Sequence, residues 1–527
     1  MKINKFLLGA FALSVGFASC SNEEPIKGEN GGGTTDGEKY MAFSITNIGS
    51  GSRAEGDDYE NAAGTEGDIA PDNIYFLFFD RNGNAFMLQG RTVNGEAVNT
   101  NMVKPANFTA KKDQYGNETF TGTLVLGKAA EPFLGQTPAQ VLCVANPNTT
   151  AMKELGSKNL SAVLQVETST PDFTKGAFLM TNSTYLDEGN NKVVTATSTD
   201  GCIFDKASDA EGTPVMINLE RVAAKVRANY QPEYTVTNNA VTPQTETFEI
   251  DGTQTKVYAQ IQGWRLMNYA TKAYGFKQLS TSYTFDPVWD WNDVTNKRSY
   301  WANSLAGNDL SNVDYNLYPK DGEEDQFKLK SFGSDNTSIT NVAYCYENTL
   351  HQDAQPTNRN ADATGIAVKV VLGTKAEGGE FAAIDMVKFA GKYYTVANFK
   401  QLVIDQFKSG HADATVNDVI FEVDDASKNT WKAKVKYNTT EEFDMSYIYY
   451  NFLWWQNGVT SYWINIKHFG NLTGVVRNHI YDYDITGIYG LGIPGNEPEN
   501  PQEKESYMAA ALRILNWRVV SNSVILE

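Results

Sequence analysis

Tyr40-Met41-Ala42-Phe43-Ser44-Ile45-Thr46 alternates large apolar side chains with small or polar ones, and its reading decides the fold. Successive side chains of an extended segment point to opposite faces, so Met41, Phe43 and Ile45 share one face and predict a strand with a buried side. Directly after it, Gly49-Ser50-Gly51-Ser52-Arg53-Ala54-Glu55-Gly56-Asp57-Asp58 sets one arginine among small and polar residues. Such a loop is open to a protease that cuts after arginine, here between Arg53 and Ala54.

Toward the N-terminus, Ser21 to Glu38 contains Gly31-Gly32-Gly33 and no aromatic residue, and reads as a tether. Before it, Lys2 and Lys5 precede the apolar run Phe6 to Ser19, and Phe17-Ala18-Ser19-Cys20 closes that run with small residues and a cysteine. This is the pattern of a lipoprotein export signal. As a helix the run spans only about 21 Å, short of the roughly 30 Å hydrocarbon core, so it is expected to be removed and Cys20 to become a lipidated N-terminus.

The chain's 527 residues are enough for roughly two to four domains with large cores. Its formal net charge is -19, and residues 1–53 hold five basic and five acidic side chains, so a cut at Arg53 leaves that charge unchanged. So acidic a surface repels phosphate backbones and argues against nucleic acid as a partner. Beyond the signal no apolar run approaches the roughly 18 residues of a spanning helix, which leaves lipid as the expected membrane attachment.

Cys143, Cys202 and Cys345 are an odd, sparse set rather than a disulfide framework, and whether they pair stays open. Cys143, within Val141-Leu142-Cys143-Val144-Ala145, reads as a buried free thiol. His351, His411, His468 and His479 stand far apart in the sequence without metal-ligand spacing, so no metal or cofactor is expected. Asp482 and Asp484 read as solvated strand carboxylates rather than a catalytic pair. No histidine has a serine or cysteine partner in a nucleophile elbow, so no catalytic residue is assigned and the chain is not read as an enzyme.

Short strands bounded by turn residues dominate the rest. Ile74-Tyr75-Phe76-Leu77-Phe78-Phe79 is apolar throughout, and Asp80-Arg81-Asn82-Gly83 is expected to turn it into Ala85-Phe86-Met87-Leu88 as a hairpin. Phe120 to Leu126 and Ala139 to Ala145 add two strands. Asn148 is expected to cap a helix from Ala151 to Leu155 that Gly156 ends. A second block begins near Val226, with strands at Thr255 to Trp264 and Gly365 to Leu372 and a hairpin from Met386 to Tyr394. Thr395 then starts a helix, Val396 to Phe407, in which Val396, Phe399, Leu402, Val403 and Phe407 keep helical spacing.

Tyr462 to Ile466 and His479 to Ile485 alternate as strands, and Met508, Ala510, Leu512 and Ile514 share a face. Trp454, Trp455, Tyr447, Tyr449 and Tyr450 read as alternating core residues rather than a sugar platform. No internal repeat is evident. The chain stays apolar to its last residue but one, through Val519, Val520, Val524, Ile525 and Leu526, so this segment pairs either inside its own domain or with another chain. The fold class is mainly β with a few short helices.

Several segments, in order, carry a family resemblance. They are the signal ending at Cys20, Leu219-Glu220-Arg221-Val222-Ala223-Ala224-Lys225-Val226, Gly263-Trp264-Arg265-Leu266-Met267-Asn268 and Arg298-Ser299-Tyr300-Trp301-Ala302. Further on stand Tyr346-Glu347-Asn348-Thr349, Val475-Val476-Arg477-Asn478-His479, Ile488-Tyr489-Gly490-Leu491-Gly492-Ile493-Pro494 and Trp517-Arg518-Val519-Val520. Through them the chain resembles the type V pilins, the fimbrillins of protease-assembled fimbriae, and most closely the major subunits of Mfa-type short fimbriae. The resemblance implies two transthyretin-like β-sandwich domains, residues 54–225 and 226–516, after a signal at 1–19 and a propeptide at 20–53 and before a donor strand at 517–527.

The resemblance also implies an assembly route. A lipidated precursor is anchored in the outer membrane, and an Arg-specific protease cuts after Arg53. The strand holding Met41, Phe43 and Ile45 leaves, and a strand from another copy enters. Trp517 to Leu526 matches the donor by position, with Val520, Val524 and Leu526 the favoured inserted face over Trp517, Val519 and Ile525. Copies then join head to tail, with minor fimbrial subunits, into an adhesive fimbrium on the cell surface. Two neighbouring readings are a surface lipoprotein that binds glycans and a minor tip or anchor subunit. Arg477-Asn478-His479 is read as structural, positioning the strand it opens.

Overall fold

Phe76, Phe78 and the strands beside them show why the N-terminal half reads as unbroken apolar runs. The computed structural model describes residues 39–47, 73–88, 91–93, 96–112, 118–126, 137–169, 178–187, 192–270, 272–278, 302–305, 313–314, 342–349, 363–426, 429–438, 441–468, 473–495, 507–513 and 522–524. The first sheet contains β1 (Lys39–Asn47), β2 (Ile74–Phe79), β3 (Glu118–Leu126), β4 (Gln140–Ala145), β5 (Met180–Asn182) and β6 (Val215–Arg221). Its central order is β3-β1-β6-β5-β4-β2. Ile74, Phe76 and Phe78 of β2 join Val141, Cys143 and Ala145 of β4 in one core. Leu77 and Phe79 join Leu142 and Val144 in a second core on the opposite face. Both faces are covered, so neither strand can alternate with polar residues.

The turn after β2 forms, and the expected hairpin is short. Asp80 Oδ1 accepts from the backbone N–H groups of Asn82 and Asn84, both at 2.8 Å. Residues Ala85 to Leu88 make one bridge to β2, Phe79 with Ala85, beside which Phe86 N–H donates to Phe78 O at 2.9 Å; Leu88 N–H then donates to Thr100 O at 3.0 Å, and Met102–Val103 takes the rest of that edge of β2. A second departure concerns α1 (Thr150–Lys153), whose cap is Thr149, accepting from Met152 N–H, rather than Asn148. The Asn148 side chain instead accepts from the Thr168 hydroxyl at 3.0 Å. A short helix, α2 (Ala207–Gly212), precedes β6.

The second large sheet is built from β7 (Ala224–Asn229), β8 (Glu233–Thr237), β9 (Tyr258–Met267), β10 (Val342–Cys345) and β11 (Gly365–Lys375). The hairpin of β12 (Met386–Phe389) and β13 (Lys392–Thr395) lies in a separate sheet beside it. The expected strand from Thr255 is broken at Val257, and Thr253–Lys256 pairs in the hairpin's sheet while β9 begins at Tyr258. Ala390 and Gly391 join β12 to β13 with φ of 48° and 78°, the left-handed pair that a two-residue hairpin turn demands. Thr395 caps α3 (Val396–Phe407), which buries Phe399, Val403, Ile404 and Phe407. Leu402, expected on that face, is exposed and Ile404 takes its place inward.

The large sheet is completed by β14 (Val459–Asn465), β15 (Ile480–Tyr489), β16 (Tyr507–Arg513) and β17 (Asn522–Val524). Along one edge of β15 lie β7, beside Ile480 to Asp484, and then β8, beside Ile488 and Tyr489; β10 flanks β7, β9, β11 and β14 follow β8, and β16 takes the other edge of β15 with β17 on β16.

Four charged side chains are buried where β6 passes into β7. Lys277 Nζ lies 2.9 Å from Glu220 Oε2, and Arg477 Nη2 lies 2.5 Å from Glu347 Oε1, all four with no exposed side-chain surface. The Arg477 guanidinium also donates to the carbonyls of Gly275 at 3.1 Å and Tyr274 at 2.7 Å. Burial pushes the Glu220 carboxyl above its ordinary range, with Lys277 and Arg477 pulling the other way. Burial alone would lower Arg477, yet Glu347 beside it holds the guanidinium net above its usual value.

Asn478, at φ 59°, donates its N–H to Ala223 O and accepts from Arg221 N–H, and the Lys225 N–H binds His479 O at 2.9 Å. Arg477-Asn478-His479 therefore fixes the turn that opens β15. Removing one member of a buried pair strands the other charge, so Arg477→Met should cost about 3 to 5 kcal/mol. A urea midpoint measurement checks this, and adding Glu347→Leu should recover a substantial part of the loss.

Candidate strand-exchange site

β1 is an interior strand. It runs antiparallel to β3, from Lys39 opposite Leu126 to Thr46 opposite Thr119, and parallel to β6, from Phe43 opposite Val215 to Asn47 opposite Leu219. Before β6 begins, the same edge is closed by Phe204, which exchanges two backbone hydrogen bonds with Tyr40 at 2.7 and 2.9 Å. Both backbone edges are thus paired. An unpaired buried backbone group is costly, so this strand cannot simply be missing from the sheet.

The inward face carries the predicted residues. Met41, Phe43 and Ile45 are buried in the first core, and the Phe43 ring stacks on Phe76 with centroids 3.9 Å apart and planes 18° apart. Phe78 lies beside them at 6.3 Å. Burying three such side chains contributes roughly 5 to 9 kcal/mol in all, as much as the whole net stability of many domains. An emptied seat must therefore be refilled.

The outward face was not foreseen. Ala42 and Ser44 are only 4 % and 7 % exposed, so the face opposite Met41, Phe43 and Ile45 is covered as well. The signal was present as the small residues alternating with Met41, Phe43 and Ile45, but alternation alone does not tell a covered face from a wet one.

The other predicted positions are distributed as follows. Cys20, Arg53 and Ala54 lie outside the described residues, as do Trp517, Val519, Val520, Ile525 and Leu526. Val524 belongs to β17, which pairs with β16 through Ala510 with Val524, Ala511 with Ser523 and Leu512 with Asn522. Among the described strands, β17 is the outermost of its edge.

Several chemistry-bearing residues are placed differently from expectation. Asp482 is buried rather than solvated, 2.6 Å from Arg227, and the Asn229 amide donates to both Asp482 at 2.9 Å and Asp484 at 2.8 Å. Burial raises the Asp482 carboxyl, against the pull of Arg227. His468 and His479, eleven residues apart in sequence, meet with ring centroids 4.9 Å apart because β15 returns beside the segment after β14. His468 Nδ1 faces the Tyr481 hydroxyl at 3.0 Å, and His479 Nδ1 donates to Arg477 O at 2.7 Å. Among the described residues no group of three or more His, Cys, Asp or Glu side chains is placed to hold a metal. Cys143 and Cys345 are buried free thiols, the latter pushed up to about 12 by burial, and Cys202 is free and half-buried. Trp455 is buried as expected, but Tyr447 and Tyr450 are exposed.

No family model and no curated protein matches the chain. Solved structures are similar to it at low identity. A candidate cell adhesion protein from Parabacteroides distasonis ATCC 8503 is 12% identical over 90% of this chain and 96% of that one, with a TM-score of 0.37. The tip fimbrial protein Mfa3 from Porphyromonas gingivalis, with a C-terminal truncation, is 12% identical over 91% of this chain and 100% of that one, with a TM-score of 0.30. A fimbrial assembly protein from Parabacteroides distasonis ATCC 8503 is 10% identical over 92% and 98%, with a TM-score of 0.29. TM-scores this low do not establish a shared fold.

The two faces of β1 make separate demands. Phe43→Ala empties the seat on Phe76 and should destabilise the chain by about 3 to 5 kcal/mol. Ala42→Leu forces a larger side chain into a covered face and should cost about 1 to 3 kcal/mol. Denaturant unfolding followed by tryptophan fluorescence measures both.

Proposed function

We propose that this chain is a structural subunit of an adhesive fimbria, polymerised head to tail by strand exchange. The supporting observation is the position of β1. It is an N-terminal strand joined to the rest through the Arg53 loop, yet it fills an interior place of the sheet. In this reading residues 1–19 are the export signal and residues 20–53 the propeptide. Residues 54–225 and 226–516 form two β-sandwich domains of transthyretin-like type.

Cys20 carries the lipid that anchors the precursor in the outer membrane, and an Arg-specific protease cuts between Arg53 and Ala54. Loss of β1 exposes Phe76, Phe78 and the facing edges of β3 and β6. The C-terminal end of another copy, where the resemblance puts the donor at Trp517 to Leu526, then enters by strand addition. Donor and groove lie on different parts of the subunit, so the contact is heterologous and propagates as a filament, with minor subunits joining it.

The test is to treat purified precursor with trypsin, find the new N-terminus by mass spectrometry and look for filaments by electron microscopy. A new terminus at Ala54 together with filaments is the expected result. A chain that stays uncut at Arg53, or is cut there and remains monomeric, would sink the reading.

A second reading, a surface lipoprotein that binds glycans, is favoured by one observation. Tyr447 and Tyr450 are 69 % and 54 % exposed and could stack on sugar rings. On a glycan array, this reading expects retained binding by the uncut precursor and its loss in Tyr447→Ala/Tyr450→Ala.

A further inference from the structure

The groove that β1 fills is specified on two faces, and this restricts what can replace it. Inward, the seats of Met41, Phe43 and Ile45 require apolar side chains against Phe76 and Phe78. Outward, the seats of Ala42 and Ser44 are covered, the two residues being only 4 % and 7 % exposed. Side chains longer than one carbon or a hydroxymethyl must displace that cover. The required pattern is therefore apolar, small, apolar, small, apolar.

We infer that the segment of a neighbouring copy that takes these seats is Tyr507-Met508-Ala509-Ala510-Ala511-Leu512, in the register that puts Met508 at the Met41 seat and Leu512 at the Ile45 seat. This rests on the strand-exchange reading above and assigns its donor. The segment is a close likeness of Tyr40-Met41-Ala42-Phe43-Ser44-Ile45, with Tyr, Met and Ala identical and Ile replaced by Leu.

Other windows of the C-terminal end fail on one face or the other. Val520 to Val524 has small residues at Ser521 and Ser523 but lays the Asn522 amide against Phe76, buried without a partner. Asn522 to Leu526 puts Ile525 in the closed Ser44 seat. Trp517 to Ser521 puts Arg518 in the Ala42 seat, and Ala510 to Ile514 puts Arg513 in the Ser44 seat. Met508 to Leu512 meets neither obstacle. Its single mismatch is Ala510, which leaves the Phe43 seat underfilled.

The donor segment is already a strand. As β16 it pairs along β15 from Asp482 to Tyr489, with β17 on its outer edge. It thus has two alternative ladders, one at the edge of its own sheet and one between β3 and β6 of another copy. In the second, antiparallel to β3, Ala509 falls opposite Thr123 and Ala511 opposite Thr121, the partners of Ala42 and Ser44.

Cysteine pairs read this register in the full-length chain carrying Cys202→Ser. One chain carries Ala509→Cys with Thr123→Cys and a second carries Ala511→Cys with Thr121→Cys. Two controls place Ser521→Cys with Thr123→Cys and Ser523→Cys with Thr121→Cys. After cutting at Arg53, filament growth and oxidation, the first two chains should give a ladder of covalent multimers on a non-reducing gel and the controls none. A ladder from the controls alone, or filaments without a ladder from any pair, overturns this assignment and leaves strand exchange standing. A cut parent chain that forms no filament overturns both. Filling the empty seat supplies a second readout. Ala510→Phe should slow filament dissociation in urea at least tenfold, and an unchanged rate counts against the register.

Discussion

An interior strand that is also the first strand of the described chain is the constraint on which the N-terminal half depends. β1 closes two hydrogen-bonded edges at once and supplies Phe43 to the stack on Phe76. Edge strands can be lost at the cost of one ladder. Removing β1 opens two edges and uncovers the first core. The sheet then has a slot the width of one strand, roughly two inter-strand spacings of 4.8 Å between β3 and β6. That shape admits another extended segment and little else.

The buried charges at the junction of β6 and β7 explain why the sheet can hold such a slot in register. β6 forms one wall of the slot and ends in Glu220 and Arg221, where the Lys277 ammonium and the Asn478 side chain fix its last residues. Thr181 on β5 and Arg477 both donate to the Gly275 carbonyl, so the neighbouring strand is tied to the same point. Charge pairs in so dry a place contribute little net stability over an apolar filling, but they tolerate few alternative arrangements. Their effect is to hold β6, one of the two walls beside β1, in place.

Much of this was legible in the sequence because it follows from local pattern. The alternation from Tyr40 to Thr46 predicted a strand with Met41, Phe43 and Ile45 inside, and Ala390-Gly391 with Thr395 marked a hairpin and a helix start. What was not legible depends on what packs above a face or returns from far along the chain. Ala42 and Ser44 look like the wet side of a strand, yet both are buried. Leu402 and Ile404 both fit a helical stripe of α3, and only the position of the sheet beneath decides between them. Asp482 reads as solvated because Arg227 lies 255 residues away, and His468 meets His479 only once β15 has folded back. Glu220, Glu347 and Arg477 stood out as pieces of a resemblance, with nothing in their separate segments to show that they form one network.

Under the proposed strand exchange, the relative strength of the two occupants explains why a cut would be needed at all. While the chain is intact, β1 is tethered to its groove through residues 48–73, and such a linker gives an effective concentration of order 1 mM. A neighbouring copy at about 1 μM starts a thousandfold behind, about 4 kcal/mol. Under the proposed register it is further behind at the Phe43 seat, where alanine in place of phenylalanine forfeits about 3 to 5 kcal/mol. The two handicaps together make displacement of an intact β1 negligible, so copies can accumulate without joining. Cutting at Arg53 removes the first handicap, and loss of the freed strand removes the second. A donor weaker than the original occupant is then no defect, because it competes only with an empty groove.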